Sequence, residues 1–171
     1  RELLDIGFVL RAVRALREWR EHNGRETIGI DVFFYALTPD KYLEDRIFGA
    51  ILSEDEMSDN ASPELSSIRR KIKEQENNVR SQLDKMIRSA YYKTYLQDAI
   101  ITLRNGRYVV PVKNEYRGNV QGLIHDTSSS GATVFVEPIG VVEANNEIKV
   151  LHGKEADEIE RILAEFSAEA G

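Results

Sequence analysis

Apolar positions recur every three or four residues along "ELLDIGFVLRAVRALREW", where Leu3, Ile6, Leu10, Val13 and Leu16 fall on one stripe. That spacing predicts an amphipathic helix ending near His22-Asn23-Gly24. "IGIDVFFYAL", 28–37, is a short apolar stretch that fits helix or strand, and helix is the reading taken. Thr38 has N-cap chemistry and Pro39 suits a first helical position, predicting a helix through about Leu52. The acidic stretch "SEDEMSDNAS" reads as a connection. Ser62-Pro63 repeats the cap-then-proline signal, with Glu64 favourable in the first turn. From there Leu65, Ile68, Ile72, Val79, Leu83, Met86 and Ala90 form one seam, with Gln75 filling its gap. The helix is expected to run unbroken to about Tyr91, about 42 Å at 1.5 Å per residue. After Pro138, Val141, Ile148, Leu151, Ile159, Ile162 and Phe166 form a second stripe, weakened at Gly153.

Between these helices the period drops from 3.6 to 2. "DAIITLRNGRYVVPVKNEY" reads as two strands about Asn105-Gly106, a strong hairpin signal because both turn positions want positive φ. A two-residue turn there sets Arg104 opposite Arg107, Leu103 opposite Tyr108, Thr102 opposite Val109 and Ile101 opposite Val110. "GLIHD" and "TVFVEP" read as two more strands joined through "SSSGA". The fold class is therefore α+β, mainly α: a helical core, then a long antiparallel helix pair carrying a small four-stranded antiparallel sheet at its tip. The expected divisions are 1–61 for the helical core, 62–97 for the outgoing helix, 98–137 for the sheet and 138–171 for the return helix.

With 171 residues, 42% of them apolar and 30% charged, the composition is that of a folded chain. No apolar run approaches the roughly 20 residues that span a bilayer, and no membrane partner is expected. Cysteine is absent, which removes disulfides and thiolate metal sites and suits the cytoplasm. Because the sequence opens with Arg1 and stops at Gly171 inside a helical pattern, a piece of a larger protein is the expectation. The net charge of −6 is unevenly spread: residues 68–95 hold 8 basic and 3 acidic side chains, whereas 138–171 hold 3 and 8. These opposite signs suit pairing of the two long helices, and the run "RRKIKEQENNVR" is expected to serve the acidic helix first.

Candidate chemistry concentrates on the sheet. One face collects Ala99, Ile101, Leu103, Tyr108, Val110 and Val112 and should be buried. The other carries Arg104 beside Arg107, with Lys113 opposite Asp98. Like charges placed opposite each other repel by some tenths of a kcal/mol, which an anionic ligand would relieve. Asn114, Tyr116 and Arg117 extend that surface, and such residues hold phosphates without reading sequence. The candidate nucleic-acid-binding residues are therefore Arg104, Arg107, Lys113, Asn114 and Arg117. Against this stands a plainer reading, in which the two arginines splay into solvent and the serine run is a polar turn. His125-Asp126 lacks further ligands at metal spacing and reads as a hydrogen-bonded strand histidine. No grouping of nucleophile, base and acid marks a catalytic site, and no metal or cofactor site is expected.

The stretch "YLQDAIITLRNGRYVVPVKNEYRGNVQGLIHDTSSSGATVFVEP", followed by "VVEANNEI" and "EADEIERIL", resembles the bacterial MutS-two branch of the MutS family. "ELLDI" and "ASPELSSIRRKI" match in the same order, and the similarity is most specific from Tyr95 to Ile148. The resemblance implies a helical core, lever helices over Ser62 to about Tyr95 and from Pro138 onward, and a DNA-embracing clamp over Asp98 to Glu137. It implies partners too: branched DNA, in restraint of homologous recombination, ribosomal RNA of collided ribosomes, and a second copy in a homodimer. ATP, magnesium and strand cleavage belong to the family's ATPase and nuclease domains, so no residue here is expected to be catalytic. The alternative is a coiled-coil stalk serving as a structural or protein-interaction module.

Overall fold

The computed structural model describes residues 1–24 and 29–170. Among them lie helices α1 (Glu2–Asn23), α2 (Asp31–Ala36), α3 (Lys41–Ala50), α4 (Pro63–Arg88), α5 (Ala90–Lys93) and α6 (Val142–Ala170). The strands are β1 (Thr102–Arg104), β2 (Arg107–Lys113), β3 (Gly122–Thr127) and β4 (Thr133–Pro138), all antiparallel in one sheet. This is the mainly helical α+β class that the patterning predicts. No helix among the described residues is long and apolar enough to cross a membrane.

Local chemistry moves several boundaries. The apolar stretch 28–37 is helical over Asp31–Ala36, while its first residue, Ile28, lies outside the described residues. α3 starts later than Thr38-Pro39 suggests, because the Asp40 carboxylate caps it, accepting from the Leu43 N–H at 2.9 Å. A carboxylate is the better cap and draws the start to itself. The helix stops at Ala50 because Ile51 turns into a β-bridge with the buried Met57. Ser62 caps α4 as expected, its Oγ accepting from Leu65 N–H at 2.9 Å. α4 ends short of Tyr91, however: Ser89 is extended (φ −69°, ψ 130°), and α5 begins after it.

The chain packs as two units, 1–67 with 156–171, and 68–155. In the first, Leu43, Ile47, Ala50, Ile51, Met57, Leu65, Ile162 and Phe166 form the core. Two carboxylates at its margin are held by arginines. Glu44 receives Arg14 Nε at 2.8 Å and Arg11 Nε at 3.3 Å, and Glu158 receives Arg161 Nε and Nη2 at 2.8 Å and Ser62 Oγ at 2.6 Å. The Arg14 hydrogen bond holds the Glu44 carboxyl down at about 2. The Arg161 bonds, with Ser62, do the same for Glu158. Both folded values lie below the ordinary 4.5, so their stabilisation is complete above pH 4.5 and fades as pH falls towards 2. The melting temperature should therefore drop between pH 5 and pH 2, and Glu44→Gln should flatten that drop. An unchanged profile in the variant would remove Glu44 from this role.

In the second unit the successive contacts of α4 and α6 run in opposite directions. Ile68 and Ile72 meet Leu151, while Val79 and Leu83 share a core with Val141 and Ile148, so the helices are antiparallel there. Tyr108, Val110, Val112, Val134 and Val136 of the sheet, together with Leu96 and Val120, complete that core. The strand order is β1-β2-β4-β3, which places β2 and β4 in the centre.

The hairpin register is the expected one: Thr102 with Val109, Leu103 with Tyr108 and Arg104 with Arg107. Asn105 (φ 53°) and Gly106 (φ 73°) supply the turn. Beyond Thr102 the register fails. The next contact is the bridge Leu96–Val112, so five residues, 97–101, stand against only two, 110–111. Ile101 therefore does not pair with Val110, nor Asp98 with Lys113. With the strand cut short, Ala99 and Leu103 lie exposed rather than buried.

Candidate nucleic-acid interface

β2 carries two of the candidate cations, Arg107 and Lys113, and it is buried on both faces rather than one. Val109 on its second face is fully buried, and Pro111 is buried as well. The cause is curl. The β1–β2 turn reaches across the sheet to β3, where Asn105 Nδ2 donates to the His125 carbonyl at 3.2 Å and Arg104 Nε sits 3.2 Å from Asp126. Arg104 also stacks on the Phe135 ring, its guanidinium carbon 3.9 Å from the centroid. Such a stack combines cation–π attraction with planar contact.

Arg107, directly opposite Arg104, turns inward. Its side chain is only 12% exposed, and Nη2 lies 2.8 Å from Oε1 of Glu137, whose side chain is wholly buried. Glu137 also takes Asn145 Nδ2 at 2.7 Å on Oε1 and faces His125 Nε2 at 2.5 Å through Oε2. Asn145, on α6, uses the same amide as a substitute strand: Oδ1 accepts from Tyr108 N–H and Nδ2 donates to the Tyr108 carbonyl, both at 3.2 Å. The expected repulsion between the two arginines is thus met inside the protein, by Asp126 for one and Glu137 for the other. His125 is the hydrogen-bonded strand histidine that the sequence suggests.

Lys113, Asn114 and Arg117 remain on one side of the unit. Lys113 Nζ donates to the Thr94 carbonyl at 3.2 Å and lies 5.9 Å from the Tyr116 centroid. Asn114 Nδ2 donates to the Gly131 carbonyl at 2.9 Å, and Asn114 Oδ1 accepts from Arg117 Nη1 at 3.5 Å. Asn114, Arg117, Gly118, Ser130 and Gly131 line an open depression. The serine run is a turn tied by its own hydroxyls, Ser128 Oγ accepting from Thr133 N–H at 3.1 Å, with Gly131 at φ 74°. Of the five sequence-predicted residues, then, Arg117 is exposed, Arg104, Lys113 and Asn114 are half-buried, and Arg107 is committed to Glu137.

A larger cationic surface lies on α4. Arg69 pairs with Glu155 at 2.7 Å across the two helices. Arg70, Lys71, Lys73, Lys85 and Arg88 are exposed and make no ion pair among the described residues. The acidic helix therefore takes less of the basic run than its charge suggests. Arg80 sits over the Tyr108 ring at 5.4 Å, and the Tyr108 hydroxyl donates to Glu76 at 2.9 Å. Burial pushes that phenol above its usual range. The unit 68–155 holds 14 basic and 10 acidic side chains, net +4, against 9 and 19, net −10, in the other unit.

Known proteins share this sequence almost end to end. No family model matches the chain. It is 49% identical over 171 residues to endonuclease MutS2 of Ruminiclostridium cellulolyticum, covering 99% of the chain and 22% of that protein. Endonuclease MutS2 of Acetivibrio thermocellus is 48% identical over 98% of the chain and 22% of the relative. That of Clostridioides difficile is 48% identical over 99% and 22%. The chain belongs to the MutS2 family. It spans about a fifth of the length of these MutS2 relatives. Within this stretch of MutS2 sequence, the sequence pattern missed the buried Glu137–Arg107–His125–Asn145 set. Glu137 sits in a strand between Val136 and Pro138, where an acidic residue on a buried sheet is itself a signal for an internal cation. The pattern also left out a group of tyrosines, with Tyr91 meeting Tyr92 and Tyr95 edge-on at 5.0 and 5.5 Å and Tyr95 meeting Tyr116 at 5.5 Å.

Proposed function

We propose that this stretch of MutS2 grips the backbone of a nucleic acid without transforming it. The observation that carries the reading is the net charge of +4 on the sheet-bearing unit of an otherwise acidic chain. There Arg70, Lys71, Lys73, Lys85, Arg88 and Arg117 are exposed and outside any ion pair among the described residues. Arg104, Lys113, Asn114 and Arg117 supply contacts of the phosphate-holding kind, and Arg107 holds the strand that presents them. On this reading 98–137 acts as a clamp and the segments 62–97 and 138–171 as levers, with 1–61 as helical core. Packed helices transmit rotation, so movement elsewhere in the protein would swing the clamp against that of a second copy. The nucleic acid is branched DNA in suppression of recombination, and the same backbone chemistry extends to ribosomal RNA in the cytoplasm. ATP and magnesium belong to another part of the protein, and no residue here is assigned to them or to cleavage.

The test is salt dependence of binding by the whole protein. The combined change Arg104→Ala, Lys113→Ala and Arg117→Ala should weaken binding to all sequences alike. It should also lower the slope of log affinity against log salt by roughly 0.9 for each duplex phosphate no longer neutralised. An unaltered slope and affinity would overturn the assignment. Exposed Leu103, Leu123 and Ile124 at the sheet edges favour a second reading, a protein-docking module. A protein partner whose binding is indifferent to salt and abolished by Leu123→Glu would favour that one.

A further inference from the structure

Where α4 breaks at Ser89, α5 folds Tyr91 and Tyr92 over a recess of about 500 Å³, within the range of small-ligand pockets. Leu83 and Val120 are buried in its lining, and Ile139, 64% exposed, stands on the segment Pro138-Ile139-Gly140. Tyr91 meets its neighbouring rings edge-on at 82° and 87° and remains 63% exposed, so it offers aromatic surface to whatever enters. Gln82, Asn119 and Gln121 supply carboxamides, each both donor and acceptor. Among the described residues, no charged side chain lines the recess. Lys93 follows Tyr92 on α5, exposed and without an ion pair among the described residues, while Lys85 and Arg88 line a separate depression of α4 with Arg80 and Asp84.

We infer that this recess takes one unpaired nucleobase, stacked on Tyr91 and held at its edge by the carboxamides, with Lys93 beside Tyr92 for its backbone. The inference rests on the nucleic-acid reading above. A flat, neutral, hydrogen-bonding ligand joined to a polyanion is what an uncharged aromatic recess in a unit of net charge +4 suits. A free phosphate would need cations inside it. Stacking on an aromatic ring with edge hydrogen bonds is how single-stranded nucleic acid is generally held.

The test uses the whole protein and an oligothymidylate carrying 5-iodouracil, with photocrosslinks mapped by mass spectrometry. A crosslink on Tyr91 is expected in the unaltered protein. Tyr91→Leu should weaken single-strand binding about tenfold while leaving affinity for blunt duplex unchanged, and Tyr91→Phe should restore it because the ring does the stacking. Single-strand binding that persists with no crosslink at Tyr91, or that is indifferent to Tyr91→Leu, overturns the recess as a base site and leaves the backbone grip standing. Failure to bind either probe overturns both readings together.

Discussion

Glu137→Leu is expected to destabilise the sheet-bearing unit by about 3–5 kcal/mol, the usual cost of stranding the partner of a buried ion pair. The stranded partner is Arg107, whose side chain is 12% exposed and whose ion pair with Glu137 is the one it makes among the described residues. Its Nε already lacks a hydrogen-bond acceptor there, so nothing nearby stands ready to take over the charge. Asn145 loses an acceptor at the same time, loosening its grip on Tyr108 and hence on β2. Pairing the change with Arg107→Met removes the orphaned charge and should recover most of the loss, since an apolar pair of similar volume is often no worse than a buried ion pair. Urea unfolding of the wild type, the single variant and the double variant measures both effects. A single variant within about 1 kcal/mol of wild type would mean that Arg107 finds water, which contradicts its burial.

Val79→Asp is the second large effect. Val79 is fully buried in the core that joins α4 to the sheet and α6, with Leu83, Tyr108 and Ile148 in the same cluster. A carboxylate there has no cation to meet, because Arg80 is one helix position away and engaged with Tyr108. It must stay charged without solvent, take up a proton, or open the packing. Losses above about 4 kcal/mol belong to this class of change. The helical far-UV signal and the urea midpoint should both fall, with Leu83→Ala, at about 2–5 kcal/mol, as the uncharged comparison. Retention of both would refute the packing of α4 on the sheet.

What the residues disclose in advance depends on how local the cause is. The Asn105-Gly106 turn was readable because two positive φ values are a property of two adjacent residues. Ser62 was readable as a cap because its partner, Leu65, lies three residues on. The long helical stripes were readable because each seam repeats many times. The strand order β1-β2-β4-β3 was not, because the neighbour of β2 lies beyond an intervening strand. Burial on both faces of β2 follows from that order and from the curl of the hairpin, and so does the inward fate of Arg107. The slip between Leu96 and Thr102 escaped as well, since the alternation of "DAIITL" continues through residues that do not pair.

The candidate site divides the same way. Lys113, Asn114 and Arg117 were identifiable as a cluster because they fall within five residues. Their link to the serine turn, through Asn114 and the Gly131 carbonyl, joins segments 17 residues apart. The aromatic recess needs the break at Ser89, which no glycine or proline announces. Ser89 lies between the seam residues Met86 and Ala90 and takes the N-cap position of α5 without a side-chain cap bond, so its own chemistry leaves no local signal of the break.

β3 lies at the outside of the sheet, with Leu123 and Ile124 about half exposed. A smooth outer strand with apolar side chains is an invitation for another chain to add a strand of its own. Here the pairing skips from Ile124 to Asp126, and the residue left over is His125. One irregularity therefore has two uses: it delivers the imidazole to Glu137, and it interrupts the even row of free amides that an invading strand would need. Protection against fibre-like association is thus written into the same residue that ties down the sheet's interior charge.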